Sequence, residues 1–581
     1  AHQGRMRALL LACLALAACD ADILGGESPA ALGDPASPGT PAGSGGGSAA
    51  PAPKPTPPPP AVPAVIPEAK GPVVPGPSPL RRLSHRQLEA SVNDLLGTAL
   101  PLAAGLPREY DDDGYSNQAV VQEPTGPLIE AYAQLAEDVA AKVQQGLYLE
   151  PMKSRLLPCA PASATDAACL RQVVSLFLRR AFRRAPSTEE LDAFVQLGAS
   201  EAASTLSHPA GFSWGVSAVV QAALQSPSFL YRLERTRGAA VAAGLPLEGH
   251  ALAARLSFLV WGTTPDDELL RAADAGELDT PQGLETQAKR LLASPRAREG
   301  LGEFLREWLK VPSLATVIKD QKTYPQFTPE LLASMAEELG RDGDEVTRDG
   351  VDLLSLFRFE TSWVDARLAA LYGLPAPSGG GFAKVALPKN RRGVLSTAGF
   401  LSNNHRTDGS TPTGRGLFLR QRFLCGTINP PPPGVSTTPP PSTAVKTTRQ
   451  IAEERMQNPV CGSCHQMMDP LGFGLEGFDG IGAARTEENG LPIDDRGQLI
   501  ASSTVTFQGA SELGAAVGAL PDTRQCAVRH FVTWSLGRRL TPDDGPALWS
   551  LDQQFQAAGN SLPQLVLALV KSDAFRHRSA N

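Results

Sequence analysis

The chain has 581 residues, 42% of them hydrophobic, with 53 basic and 60 acidic side chains that leave a formal net charge of −7. Charges of both signs are interspersed and no basic tract marks a nucleic-acid groove, so a nucleic-acid partner is set aside. The length allows several domains, and beyond the N-terminus no unbroken apolar run approaches the ~20 residues that a membrane-spanning helix needs.

Met6 reads as the start, with Ala1–Arg5 as upstream sequence. Arg7 then precedes the apolar run ALLLACLALAA, Ala8–Ala18. A basic n-region followed by a short h-region is the pattern of a secretory signal. The run ends in Leu16-Ala17-Ala18-Cys19, which resembles a bacterial lipobox, where the cysteine becomes the first mature residue and receives a diacylglyceryl group. Residues 1–19 are thus read as a signal peptide, with Cys19 the lipidation site. Residues 20–79 hold little but Gly, Ala, Ser and Pro. Such a stretch cannot bury enough apolar surface to offset its ordering entropy, and it is expected to be a disordered linker. Signal, lipid and linker predict an exported protein, periplasmic or outer-surface, attached to a membrane through its lipid.

From residue 80 the dominant period is helical. SHRQLEASVNDLLG opens on Ser84 with Gln87 three residues on, a capping box, and Leu88, Val92, Leu95 and Leu96 share one face. In PLIEAYAQLAEDVAAKV the stripe is Leu128, Tyr132, Leu135, Val139 and Val143. CLRQVVSLFLRRAFRR predicts a third helix, and Ser187 with Glu190 caps a fourth. WGVSAVVQAALQSP, HALAARLSFLVWG, DDELLRAADAGEL and LGEFLREWLKV continue the pattern. Strand-like alternation is scarce, and LPIDDRGQLIASSTVTF, residues 491–507, is the best case for a short hairpin. The predicted fold class is mainly α: a multidomain helical body. Its expected modules are 80–147, 148–233, 234–376, 377–490 and 491–581. Within the fourth, INPPPPGVSTTPPPSTAV, residues 428–445, reads as an extended arm.

Eight cysteines are present, and in an oxidising compartment they are expected to be bonded. Cys13 leaves with the signal, Cys19 is the lipidation site, and Cys461 and Cys464 fall in one motif. Cys159, Cys169, Cys425 and Cys526 remain, with three possible connectivities. A local Cys159–Cys169 bridge around the turn-rich APASATDAA is the simplest choice, and it leaves Cys425 to pair with Cys526. The alternative for the second pair is two buried free thiols.

Several phrases together resemble a known family. RRLSHRQLEASVNDLLG, FLRRAFRRAPSTEEL, LQSPSFLYRLE with LAARLSFLVWGTTPDDELLRAADAGEL, RRGVLSTAGFLSNNHRTDGSTPTGRGLFLRQRFLCGTINPPPPGV with the following CGSCH, and CAVRHFVTWSLGRRL with LVLALVKSDAFRHR occur in that order. They are similar to the modules of exported bacterial proteins assembled from consecutive domains of unknown function, numbered in the fifteen-eighties and fifteen-nineties. The resemblance spans nearly everything from Arg81 to Arg578. It implies a cytochrome-c-like haem segment on a helical exported body, with no assigned physiological role.

The segment VCGSCHQMMDPLGFGLEGFDGIGAAR, residues 460–485, carries the chemistry. In a C-x-x-C-H motif two thiols form thioethers to the haem vinyls and the adjacent histidine supplies the proximal iron ligand. Cys461, Cys464 and His465 therefore predict one covalent haem c. Zinc would need further Cys or His ligands nearby, and none lies within twenty residues. A thioredoxin-like pair would need a βαβ context, and a plain Cys461–Cys464 disulfide is the non-functional alternative. For the sixth ligand, Met467 and Met468 stay on the proximal side of His465. Met335 and Met456 read as core and helix residues. His405, in SNNHRTDGSTPTGRG, is the candidate metal ligand, with a hydrogen-bonded surface turn as its bland alternative. His530 reads as a satisfied, partly buried helix residue. Arg485, and less directly Arg415, offer guanidinium forks for haem propionates. Asp469, Pro470, Gly472, Gly474, Glu476, Asp479 and Gly482 read as helix caps and tight turns, with Phe473, Leu475 and Phe478 covering the porphyrin; the other reading is support for the haem from behind its ligand. EYDDDGYSN, residues 109–117, fails the calcium-loop pattern because Tyr115 stands at a ligand position, and it reads as a solvated acidic turn. These features predict electron transfer to an unidentified redox partner. A haem enzyme acting on peroxide, oxygen or an organic substrate is the second reading. A surface scaffold or binding protein with a structural haem or disulfide is the third.

Overall fold

The computed structural model describes residues 66–206, 208–403, 406–429 and 445–579. Cys19, the linker up to residue 65, His405 and most of the 428–445 arm lie outside them. The fold is mainly α, as the periodicity requires. Ser84 and Ser187 each form a reciprocal capping box, with Gln87 and Glu190, at the starts of His85–Leu96 and Thr188–Ala203. The Gly126–Gly146 helix buries Leu128, Tyr132, Leu135, Val139 and Val143, the five positions of its apolar stripe. Each satisfied cap removes orphan backbone donors that would otherwise destabilise the helix end by roughly 1 kcal/mol.

The described residues belong to one compact unit, Pro60–Asn581. The first helices, through Phe212–Gln225, pack on one another. After them a single apolar core runs from Leu247 through Phe304, Trp308, Phe423, Leu475 and Phe531 to Phe575, and Ile66 and Tyr115 join it from the N-terminal side. The last three expected modules therefore share one interior and are not separate globules. Gly249–Val260 shows why. From Ala251 to Val260 every side chain is buried, including Arg255 and Ser257, so this helix is enclosed on all sides.

Strands are short and occur as two-stranded antiparallel ribbons. The expected hairpin is Arg496–Ile500 paired with Thr504–Gln508. Others were invisible in the sequence because their partners are far apart: Arg81–Arg82 pairs with Tyr231–Arg232, and Leu245–Pro246 pairs with His577–Arg578. Beside the first of these ribbons, Glu234 accepts from Arg81 (3.2 Å) and Arg255 (2.6 Å), all three side chains being buried. Burial raises the Glu234 pKa, but the two guanidinium groups outweigh it and hold the carboxyl well below the usual range.

The 109–117 turn corrects the sequence reading. It is a clamp between the N- and C-terminal parts of the chain. Tyr115 is fully buried under the Arg422 guanidinium, 4.6 Å from its ring centroid. Asp112 pairs with Arg539 at 2.5 Å, and Ser116 donates through its backbone N–H (3.0 Å) and hydroxyl (2.6 Å) to Glu307. The other Glu307 oxygen accepts from Trp534 Nε1 at 3.0 Å. None of these donors is charged. Burial therefore pushes the Glu307 carboxyl above the usual carboxylate range, and the neighbouring Glu303 charge adds to this.

A raised acid binds its proton in the folded chain at pH values where the unfolded chain, titrating near ~4.3, has lost it. The stability it confers is full below that value and is lost as pH rises through the raised folded value. Glu307→Gln is expected to flatten the fall in denaturation midpoint between about pH 5 and about pH 9. Parallel profiles for the two proteins would assign the pH dependence to other groups.

Candidate functional site

Two helices build the site. Pro412–Arg422 begins at the Thr411 cap, and Gly462–Phe473 begins at Cys461. They cross antiparallel with their backbones touching. A methyl group at Gly416 would fall on the carbonyl oxygen of Met468, and one at Gly472 would fall on that of Pro412. Only glycine admits this approach. Arg420, near the C-terminus of the first helix, donates to the Met467 carbonyl from Nε (3.1 Å) and Nη2 (2.9 Å). The CGSCH helix is thereby fixed along its length.

The entry to that helix is equally defined. Asn458 O accepts from the N–H groups of Cys461 (3.1 Å) and Gly462 (2.7 Å), and Cys461 O accepts from His465 N–H at 3.1 Å. Cys461, Cys464 and His465 therefore stand on the first turn, on one half-exposed face. The two thiols are not joined to each other.

The imidazole of His465 is oriented by one contact. Its Nδ1 donates to Asp469 Oδ2 at 2.8 Å, one turn further along the same helix. The Asp469 side chain is 0% exposed, against 17% for His465. With Nδ1 carrying the proton, Nε2 is left as an electron-pair donor.

This donor set fits a covalent haem: two free thiols in C-x-x-C spacing, an adjacent histidine with a committed Nδ1, and a half-open face. It does not fit zinc. Among the described residues, the group of three potential ligands within 4.8 Å of one another is Cys425, Cys526 and His530, and the two sulfurs there are already bonded to each other. A thioredoxin-like role finds no parallel βαβ unit among the antiparallel ribbons.

The other site residues are distributed as follows. Arg485 donates to Ser410 Oγ (2.8 Å), Glu476 Oε2 (3.1 Å), the Glu476 carbonyl (3.0 Å) and Glu488 Oε1 (3.3 Å). Arg415 is fully buried and donates to the carbonyls of Leu475 (2.7 Å), Phe478 (3.0 Å) and Asp479 (2.5 Å). Both guanidinium groups thus shape the chain that follows the CGSCH helix. Asp479 Oδ1 caps Ile481 N–H (3.0 Å) and Ala483 N–H (2.8 Å), as a turn residue does. Leu475 and Phe478 belong to the shared core, and Arg391 stacks on Phe478 at 4.5 Å and on Tyr372 at 3.9 Å. Met468 is buried and Met335 lies in the core. His530 is buried as expected; its Nδ1 lies 3.9 Å from Asp113 Oδ2, and its Nε2 has no hydrogen-bond partner among the described residues. The bridges Cys159–Cys169 and Cys425–Cys526 are both formed.

Asp469 is the residue whose role the sequence reading misplaced. It is not a cap. The signal for it was the i, i+4 spacing from His465, which puts the two side chains on one face of a helix.

A mainly helical, multi-module body with a half-exposed Cys-x-x-Cys-His turn is the class of protein that fold and site define. Five families of proteins of unknown function match it in chain order: DUF1587 at residues 81–145, DUF1595 at 169–234, DUF1592 at 247–374, DUF1588 at 391–488 and DUF1585 at 504–575. The chain belongs to the family of proteins assembled from these five consecutive modules, and the CGSCH helix falls inside the DUF1588 match. No curated protein and no solved structure matches it.

Proposed function

We propose that this protein is a lipid-anchored, exported, c-type cytochrome-like electron carrier, with one haem attached to Cys461 and Cys464 and ligated by His465. The observation that supports this reading most is the His465 imidazole, held through Nδ1 by a buried carboxylate on the same helical turn as two free thiols. Bound there, the haem supplies one-electron chemistry; the chain supplies attachment, orientation and the proximal ligand. The export signal is consistent with haem c, which is attached outside the cytoplasm. In this reading the lipid on Cys19 holds the carrier at a membrane, within reach of a redox partner.

The test is production of the full chain with its signal in a host that has the haem c maturation machinery. Peptide mass across Cys461–His465 reads haem attachment, and oxidised and dithionite-reduced spectra read ligation. One haem on the peptide with sharp low-spin reduced bands is the expected result. High-spin bands would transfer the assignment to a haem enzyme with an open iron position. A haem-free peptide would overturn the cytochrome reading and favour a tethered binding protein.

A further inference from the structure

Resting on the haem reading, we infer that Asp469 is a positioning residue that lowers the reduction potential of the haem by acting on it through His465. Three observations carry this. The Asp469 Oδ2 to His465 Nδ1 distance is 2.8 Å, within the range of charge-assisted hydrogen bonds. The Asp469 side chain is 0% exposed, so water does not screen its charge. Its second oxygen, Oδ1, is buried with no hydrogen-bond partner among the described residues.

The last point decides the strength of the effect. A buried carboxylate usually spreads its charge over several donors. Here the His465 N–H is the hydrogen-bond donor that the described residues supply, so the charge is directed at the imidazole. An imidazole that donates to an anion is more basic at its other nitrogen, and it binds the more positive metal state more strongly. Ferric iron is therefore favoured over ferrous, and the potential falls. A neutral carbonyl in the same place would give the tautomer without the charge.

The backbone makes the arrangement rigid. Asp469 lies one residue from Met468, whose carbonyl abuts Gly416, and two from Met467, whose carbonyl is held by Arg420. The main chain that carries Asp469 is therefore held in place by the crossed helices.

Asp469→Asn keeps the shape and removes the charge. In the haem-loaded, full-length protein it is expected to shift the ferric–ferrous equilibrium at least ten-fold toward ferrous, a rise of about 59 mV for one electron. Asp469→Glu should restore part of the difference. A second measurement needs no substitution. After photolysis of the ferrous carbon monoxide complex, the iron–histidine stretching frequency of the wild-type protein should exceed that of a haem peptide cut from it without Asp469. A potential unchanged in Asp469→Asn, or equal frequencies in protein and peptide, overturns the inference while the haem reading stands. Absence of haem from Cys461–His465 overturns both.

Discussion

Replacing Cys425 and Cys526 together by alanine is expected to lower the stability of the chain by about 4.7 kcal/mol, the chain-entropy value for a loop of ~100 residues. The bridge spans 101 residues. It ties the end of the Pro412–Arg422 helix to Pro521–Leu536, and so encloses the whole CGSCH segment in one covalent loop. Opening it lets that loop expand in the unfolded chain, which is where most of the loss arises. Replacing Cys159 and Cys169, only 10 residues apart, should cost less, under about 3 kcal/mol. Urea midpoints of the two double variants measure both values. If the short bridge proves the costlier one, loop entropy is not what these disulfides contribute.

Arg415→Met is expected to cost about 3–5 kcal/mol, as when one partner of a buried ion pair is removed. Methionine fills much of the same volume but leaves the Phe478 carbonyl without a donor among the described residues and takes one of two donors from the carbonyls of Leu475 and Asp479. It also leaves Glu476, 2% exposed, with Arg485 as its remaining cation. Burial already raises the Glu476 carboxyl pKa, opposed by Arg415 and Arg485, and without Arg415 it rises further. Adding Glu476→Gln to the variant removes the buried charge that Arg415 no longer helps to compensate and should recover part of the loss. Denaturation of the two single variants and the double variant measures this coupling. A cost under about 1 kcal/mol for Arg415→Met, the range of exposed pairs, would show that the loop is held by its apolar side chains instead.

Both predictions concern contacts that join residues far apart in the chain, and this separates what was legible in the sequence from what was not. Helices were legible because their determinants are local: the Ser84–Gln87 and Ser187–Glu190 caps lie three residues apart, and the Gly126–Gly146 stripe repeats within one turn. The Arg496–Gln508 hairpin was legible for the same reason. The ribbons Arg81–Arg82 with Tyr231–Arg232 and Leu245–Pro246 with His577–Arg578 were not, since two residues carry no alternation and their partners lie far along the chain.

The candidate site divides in the same way. By itself the sequence determined the Cys461, Cys464 and His465 spacing and placed Asp469 one helical turn away, because a C-x-x-C-H motif is a local pattern. Tertiary structure alone decided that Asp469 would be buried, since that depends on where the helix packs. It also decided that Arg415 and Arg485 would serve Glu476 and the 475–479 carbonyls, whose positions follow from the glycine-to-carbonyl crossing of two helices. The acidic 109–117 turn became a clamp for the same reason: Arg422, Arg539 and Glu307 reach it only once the core has closed. Local geometry is encoded within a few residues, whereas burial and charge pairing depend on which distant surfaces meet.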